Sequence, residues 1–413
     1  MNTVPKLLLL LFSFSGYSVS LSVNFEDKIH SYHEKKPDDP FAQLKNELES
    51  KKIDLNFQNE KDYLNWLLNE LYISKHSQLL VYSTTSLQLS RISPYNPRAI
   101  YFSDDLYLGY VPGGQIEVIG IDPQLGAIPY IFDLPQKNEI KHPKIYRSTR
   151  CMKCHASQEF GGSPSLLLSS VIPAHGGGTI DSFRKNSFGH EIQFKDRFGG
   201  WHITGHNPFP ISWANQIGVM SNNKVGRIPN PPGKYFKWEK YPTKSSSIIS
   251  HLLLEHQVGF TNRCIDIIYR YRELISKTSN LEIDQKRKKF ISQGTGKLLN
   301  YLLFKNEVPL ENFRITSNDA FLNDFQTSSN NSSKLRRLNL KSRLFDYRCS
   351  YMIFSNSFSG LPLEFKIELF NQLFKIMAPK QKSVPDEFSY LEEKEREIIH
   401  QVLTASFPLY RNE

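Results

Sequence analysis

RAIYFSDDLYLGYVPGGQIEVIGIDPQLGAIPYIF, residues 98–132, is the stretch that decides the fold. Arg98–Phe102 is a short apolar run. Leu106–Val111, the turn Pro112-Gly113-Gly114 and Ile116–Ile121 read as a hairpin. Asp122-Pro123 opens another turn, after which Ala127–Phe132 adds a further strand. Working outward, Gln78–Tyr82, Leu166–Ile172 and Trp201–Thr204 are also candidate strands. Ahead of the sheet, Ala42–Ser50 and Asp62–Tyr72 read as amphipathic helices, the second with a stripe of Leu64, Leu67, Leu68 and Leu71. Beyond the Pro-rich stretch 229–246 the apolar period becomes helical. Ser247–Ser276, Asp284–Phe304, Arg343–Asn356, Glu364–Met377 and Tyr390–Ala405 all suit helices. The expected architecture is therefore α+β: a β-rich domain over residues 21–228, a linker over 229–246 and a mostly helical domain over 247–413.

With 413 residues, 39% hydrophobic and 22% charged, the chain is long and apolar enough to build sizeable cores. Its four cysteines exclude a disulfide-dense scaffold. Lys and Arg number 51 against 41 Asp and Glu, a net charge of +10. The charges are scattered, and the densest run is only Lys286–Lys289, so no nucleic-acid partner is expected. A basic surface suits an acidic redox partner, or peripheral contact with an anionic membrane. Residues 1–20 read as a secretory signal peptide: Lys6, the apolar run Leu7–Phe14, then Ser18-Val19-Ser20 as a small-x-small cleavage site. That places the mature protein outside the cytoplasm, in a periplasmic or equivalent space.

Cys151-Met152-Lys153-Cys154-His155 is the one sharp chemical signal. C-x-x-C-H is the attachment motif of haem c: two thiols add to the two vinyl groups on one porphyrin edge, and the next imidazole lies under the iron. With 4 Cys and 12 His in 413 residues, chance supplies such a motif roughly 0.001 times. The competing readings are a vicinal disulfide, a thioredoxin-like pair and a zinc site; Cys264 and Cys349 are single and far apart, whereas zinc would want a second pair. The same two cysteines could pair with each other or stay as buried thiols.

A sixth ligand is less marked. Met152 sits inside the motif, Met220 is isolated, and Met352 and Met377 fall in expected core helices. His206 follows a glycine at the end of GGWHITG, residues 199–205, where backbone can approach a ligand closely. His256 shares a helix face with Leu252, Leu253 and Phe260. A loop histidine bonded to backbone and a satisfied core histidine are the plainer readings of these two. His175 and His190, in Gly-rich loops, are weaker candidates. There is no G-x-S-x-G elbow and no H-E-x-x-H, and Gly294-Thr295-Gly296-Lys297 lacks P-loop spacing.

Several stretches together resemble a family of large exported bacterial cytochrome-c-domain-containing proteins whose reaction is unassigned. They are residues 97–114 (PRAIYFSDDLYLGYVPGG), 122–126 (DPQLG), 150–155 (RCMKCH), 199–205 (GGWHITG), 255–257 (EHQ) and 343–355 (RLFDYRCSYMIFS). The resemblance implies one covalent haem c held by Cys151, Cys154 and His155 in an exported protein. This chain departs from the family pattern at His202, where an aromatic is usual, at His206, matched only through a gap, at Thr261, often His, and at Arg348, often Pro. The leading expectation is a monohaem electron-transfer protein with an unidentified redox partner. A haem enzyme with an open distal face, peroxidase-like in outline, and a haem-based sensor or interaction module are the alternatives.

Overall fold

The structure is a computed structural model; it describes residues 22–50, 57–84, 86–134, 143–183, 188–277, 281–311, 313, 315, 320–327, 331–379 and 384–411. The expected signal peptide lies outside the described residues. Two helices come first, α1 (Pro40–Glu49) and α2 (Glu60–Glu70). Both start on side-chain caps, Asp39 accepting from the Phe41 amide and Asn59 from the Asp62 amide. A six-stranded sheet follows: β1 (Leu79–Val81), β2 (Arg98–Phe102), β3 (Leu106–Tyr110), β4 (Gln115–Asp122), β5 (Gly126–Asp133) and β6 (Tyr146–Arg147). Each strand pairs antiparallel with the next, in plain sequence order. The expected hairpin and its flanking strands are present, with Gly113 supplying the positive φ of its turn.

The two faces of this sheet differ. Ala99, Tyr101, Leu108, Tyr110, Ile116, Val118, Ile128, Tyr130 and Phe132 project to one side and are buried. That side carries α1: the Asp39 cap takes the Tyr130 hydroxyl at 2.5 Å. The opposite side is covered only in part. Its strand positions include Arg98, Ile100, Glu117, Ile119 and Ile131, all of them half-buried.

After β6 comes the one-turn α3 (Met152–His155), then two hairpins, β7 (Val171–Pro173) with β8 (Thr179–Ser182), and β9 (Gln216–Ser221) with β10 (Lys224–Pro229). From residue 248 the chain is helical: α4 (Ile248–Ile275), α5 (Leu281–Leu302), α6 (Ala320–Gln326), α7 (Asn356–Ser359), α8 (Leu363–Met377) and α9 (Glu393–Ser406). The mixed α+β class is as expected from the sequence. Ser247 caps α4 through the Ile249 and Ser250 amides. Every residue from Ile248 to Thr261 is buried, which marks α4 as a central helix rather than a surface one. It packs against α5, which in turn meets α8, and Gln257 ties it back to the sheet through the Ser103 carbonyl at 2.8 Å. One contiguous core thus runs from Phe41 and Leu64 through the sheet to Leu369 and Tyr410.

Three local expectations differ. Leu166–Ile172 pairs as a strand only at its end, in β7, because the Asn262 side chain brackets Leu166 from both sides, accepting from its amide and donating to its carbonyl at 2.8 Å each. Trp201–Thr204 makes a single bridge to Val81 rather than a strand. Residues 343–349 are not helical: the Leu344 amide donates to Glu307, the Asp346 amide to the Arg337 carbonyl and the Arg348 amide to Glu395. Tertiary partners have taken the amides a helix would have used.

Candidate haem-attachment site

Cys151, Cys154 and His155 occupy a short turn of helix that leaves the sheet at β6. The Ser148 amide donates to the Pro129 carbonyl at 2.8 Å, so the chain departs along β5 and turns at once into the motif. Met152 is the inward anchor of this turn. It is buried and lies 3.3 Å from the Tyr32 hydroxyl, which itself donates to the Ala127 carbonyl. With Met152 turned inward, Lys153 and Cys154 face out, and Cys151 is half-buried. Both thiols are free. Burial raises the Cys151 thiol above its usual range, partly offset by a hydrogen bond with Ser148. A thiol held protonated lacks the depressed pKa of a dithiol redox nucleophile. The motif also follows the edge strand of an antiparallel sheet, not the strand of a βαβ unit.

His155 is the most informative member. Its Nδ1 lies 2.8 Å from the Ser165 carbonyl oxygen. A carbonyl only accepts, so Nδ1 carries the proton and Nε2 carries the lone pair. Two further bonds, from the Ser165 amide (2.8 Å) and hydroxyl (3.1 Å) to the His155 carbonyl, hold the same two residues together. Leu166, next in line, is clamped by Asn262 of α4. Burial keeps the ring below its ordinary pKa, so it is neutral at pH 7, which a metal-binding imidazole must be. Among the described residues no group of three or more His, Cys, Asp or Glu converges as a compact metal cluster would. Cys151, Cys154 and His155 instead follow one another along a short helical turn, three and four positions apart, the spacing that attaches haem c. The donor set and its tautomer fit haem c.

Facing the motif is the half-covered side of the sheet. There, Arg98 of β2 reaches across Gly109 of β3 to Glu117 of β4, with Nη2 to Oε2 at 2.5 Å. Glu117 also accepts from Ser86 Oγ at 2.8 Å and Gln88 Nε2 at 3.2 Å. This pair is near enough to act electrostatically on both Cys151 and His155. Around it stand Ile100, Ile119 and Ile131, and no described strand position on this side carries His or Met.

The other histidines are set elsewhere. His206 is exposed on a loop. His256 is fully buried, its Nδ1 2.8 Å from His190 Nδ1 and its Nε2 2.7 Å from Ser350 Oγ, within rings from Tyr301, Phe304 and Phe345. Burial pushes the His256 imidazole down to about 3. Among the described residues neither His206 nor His256 shares a hydrogen bond or ring contact with the motif. His175 packs on Tyr95 and Tyr235 at the surface. Sequence reasoning singled out the motif but not Ser165, Asn262, Arg98 or Glu117. The last two carried a faint signal: opposite charges in apolar strands, at positions that cross-strand pairing places on one side.

No family model, curated protein or solved structure matches this chain.

Proposed function

We propose that this protein is an exported monohaem c-type protein that transfers electrons. The observation that carries the reading is the His155 ring, held by the Ser165 carbonyl in the neutral tautomer with its Nε2 lone pair available, directly after two free thiols, exposed Cys154 and half-buried Cys151. Cys151 and Cys154 would tether the porphyrin and His155 would be its proximal ligand; the group, once attached, supplies a one-electron iron couple. The chain's own task is then to fix the ring angle, through Ser165 and Asn262, and to shape the surroundings of the iron. Exposed Arg150 and Lys153 beside the thiols give the tethered edge a positive rim, which suits an acidic redox partner. The amino-terminal segment and the resemblance to exported cytochrome-c-domain proteins support the same reading. Among the described residues no helix is long and apolar enough to cross a membrane.

Of the two candidate sixth ligands, His206 is exposed on a loop, and His256 is enclosed with its two ring nitrogens within hydrogen-bond distance of His190 and Ser350. A second reading, a haem enzyme with an open distal face, draws on the sheet wall opposite the motif, whose described strand positions offer a charged pair and isoleucines but no axial ligand. Protein matured in a host with c-haem assembly machinery should be red and heavier by one haem, and C154S should lose one thioether bond. A low-spin spectrum in both redox states, turned high-spin by H206A or H256A, supports the carrier. A high-spin ferric form that binds cyanide rapidly supports the enzyme. Colourless protein at its bare polypeptide mass overturns both.

A further inference from the structure

We infer that Arg98 is the counter-ion of a haem propionate, and that the sheet side carrying it is the wall on which the porphyrin packs. This rests on the haem-c reading above. Three observations lead here. The motif leaves the sheet at Ser148, beside Pro129, and Tyr146 pairs across from Ile131 on the half-covered side. The wall therefore begins where the tether ends.

The wall also has the right form. Along one row, cross-strand pairing aligns Ile100, Gly109, Glu117 and Ile131, with Ile119 of the next row beside them; the rest of that next row, Phe102, Tyr107 and Pro129, is buried, Phe102 against Phe321 and Tyr107 beneath Gln257, and marks where the wall ends. Four strands at the usual spacing span about 14 Å, broad enough for a planar macrocycle. Alternate residues of the same strands are buried beneath the other side, yet Ile100, Ile119 and Ile131 are left half-covered. A run of half-covered isoleucines asks for an apolar partner, and the adjacent thiol pair names one that is covalently delivered.

Finally, Arg98 has bonding capacity to spare. It is the only cation among the described strand positions on this side. Its side chain is 15% exposed and its Nε–H is buried without an acceptor. Glu117, meanwhile, already accepts from Ser86 and Gln88 as well as from Arg98. A guanidinium can serve two carboxylates at once through its planar fork. Porphyrin brings two carboxylates into the site, and an unshared donor of a buried guanidinium is where one of them is best held. Gly109 makes this possible, since a β-carbon there would stand 2.7 Å from Nε and 2.9 Å from Cζ.

The test compares holoprotein variants by spectroelectrochemistry and resonance Raman. R98Q should lower the midpoint potential and move the propionate bending bands, whereas E117Q should raise the potential. R98K, which keeps the charge but not the fork, should hold the potential near the starting value while still moving those bands. Unchanged bands in R98Q, or potential shifts of the same sign in R98Q and E117Q, overturn the proposal. Should R98Q fail to mature, unchanged bands in R98K overturn it alone. Red parent protein with silent Arg98 variants refutes only this assignment; colourless parent protein refutes the haem reading itself.

Discussion

Replacing Gly109 with alanine tests whether the Arg98–Glu117 pair is built the way the sheet implies. The backbone of Gly109 is not left-handed, so alanine meets no conformational penalty there. Its methyl would instead sit 2.7 Å from Nε and 2.9 Å from Cζ of Arg98, and closer still to Nη2. The guanidinium must move, and the pair it makes with Glu117 is only 15% and 12% exposed. The obstructing atoms are the far end of a flexible side chain, which can swing aside, so the overpacking itself costs about 1 kcal/mol, the low end of its usual range. Parting Glu117 from its partner adds about 1 kcal/mol, because the carboxylate keeps Ser86 and Gln88. G109A should therefore lose about 2 kcal/mol. In an R98A background the obstruction is gone, and alanine in place of a strand glycine should be neutral or gain about 0.5–1 kcal/mol. Urea denaturation of parent, both single variants and the double variant, followed by tryptophan fluorescence, gives the coupling. G226A in β10 is the control: its methyl would meet only the Val219 carbonyl, at 3.6 Å, so it too should be neutral or gain about 0.5–1 kcal/mol. If G109A costs as much with Arg98 absent as with it present, the crossing over Gly109 is not what constrains this site.

Two further outcomes follow from burial. His202 is fully buried, its Nε2 has no acceptor or donor, and burial pushes its pKa down to about 3. The folded state then excludes a proton that the unfolded chain binds near pH 6.5, so stability falls as pH drops. H202F, set among the rings of Tyr82 and Phe236, removes this linkage. Its advantage over the parent should grow by about 1.4 kcal/mol per pH unit from pH 6.5 toward 3, and a difference flat in pH contradicts the buried neutral ring. In haem-free protein, iodoacetamide should label exposed Cys154 first and Cys151 more slowly, while Cys264 and Cys349, fully buried, react only on unfolding. Peptide mass spectrometry reads the order, and early labelling of Cys349 would contradict its placement.

Local pattern was enough to read the hairpin over 106–121 and the long helix opening at Ser247, because turn glycine, cap and apolar period agree there. It was enough, too, to single out Cys151, Cys154 and His155, because C-x-x-C-H is a contiguous motif that needs no tertiary information to be seen. It failed where distant side chains claim the backbone, as Asn262 does at Leu166 and Glu395 at Arg348. The hairpin of β9 and β10 was overlooked despite its Asn222-Asn223 turn, both residues at positive φ. The wall with Arg98 and Glu117 was out of reach for another reason. Its members are separated by 19 positions and meet only through strand register, which a single sequence does not display.

The imidazole of His155 is moored, through Ser165 and Leu166, to an amide side chain on a helix about a hundred residues downstream. The part that would carry the iron is thus calibrated by the part that would not. Trimming the carboxy-terminal half to obtain a smaller coloured fragment would leave the cysteines intact and set the ring adrift. The setting of one imidazole thus depends on a helix that follows it far along the chain.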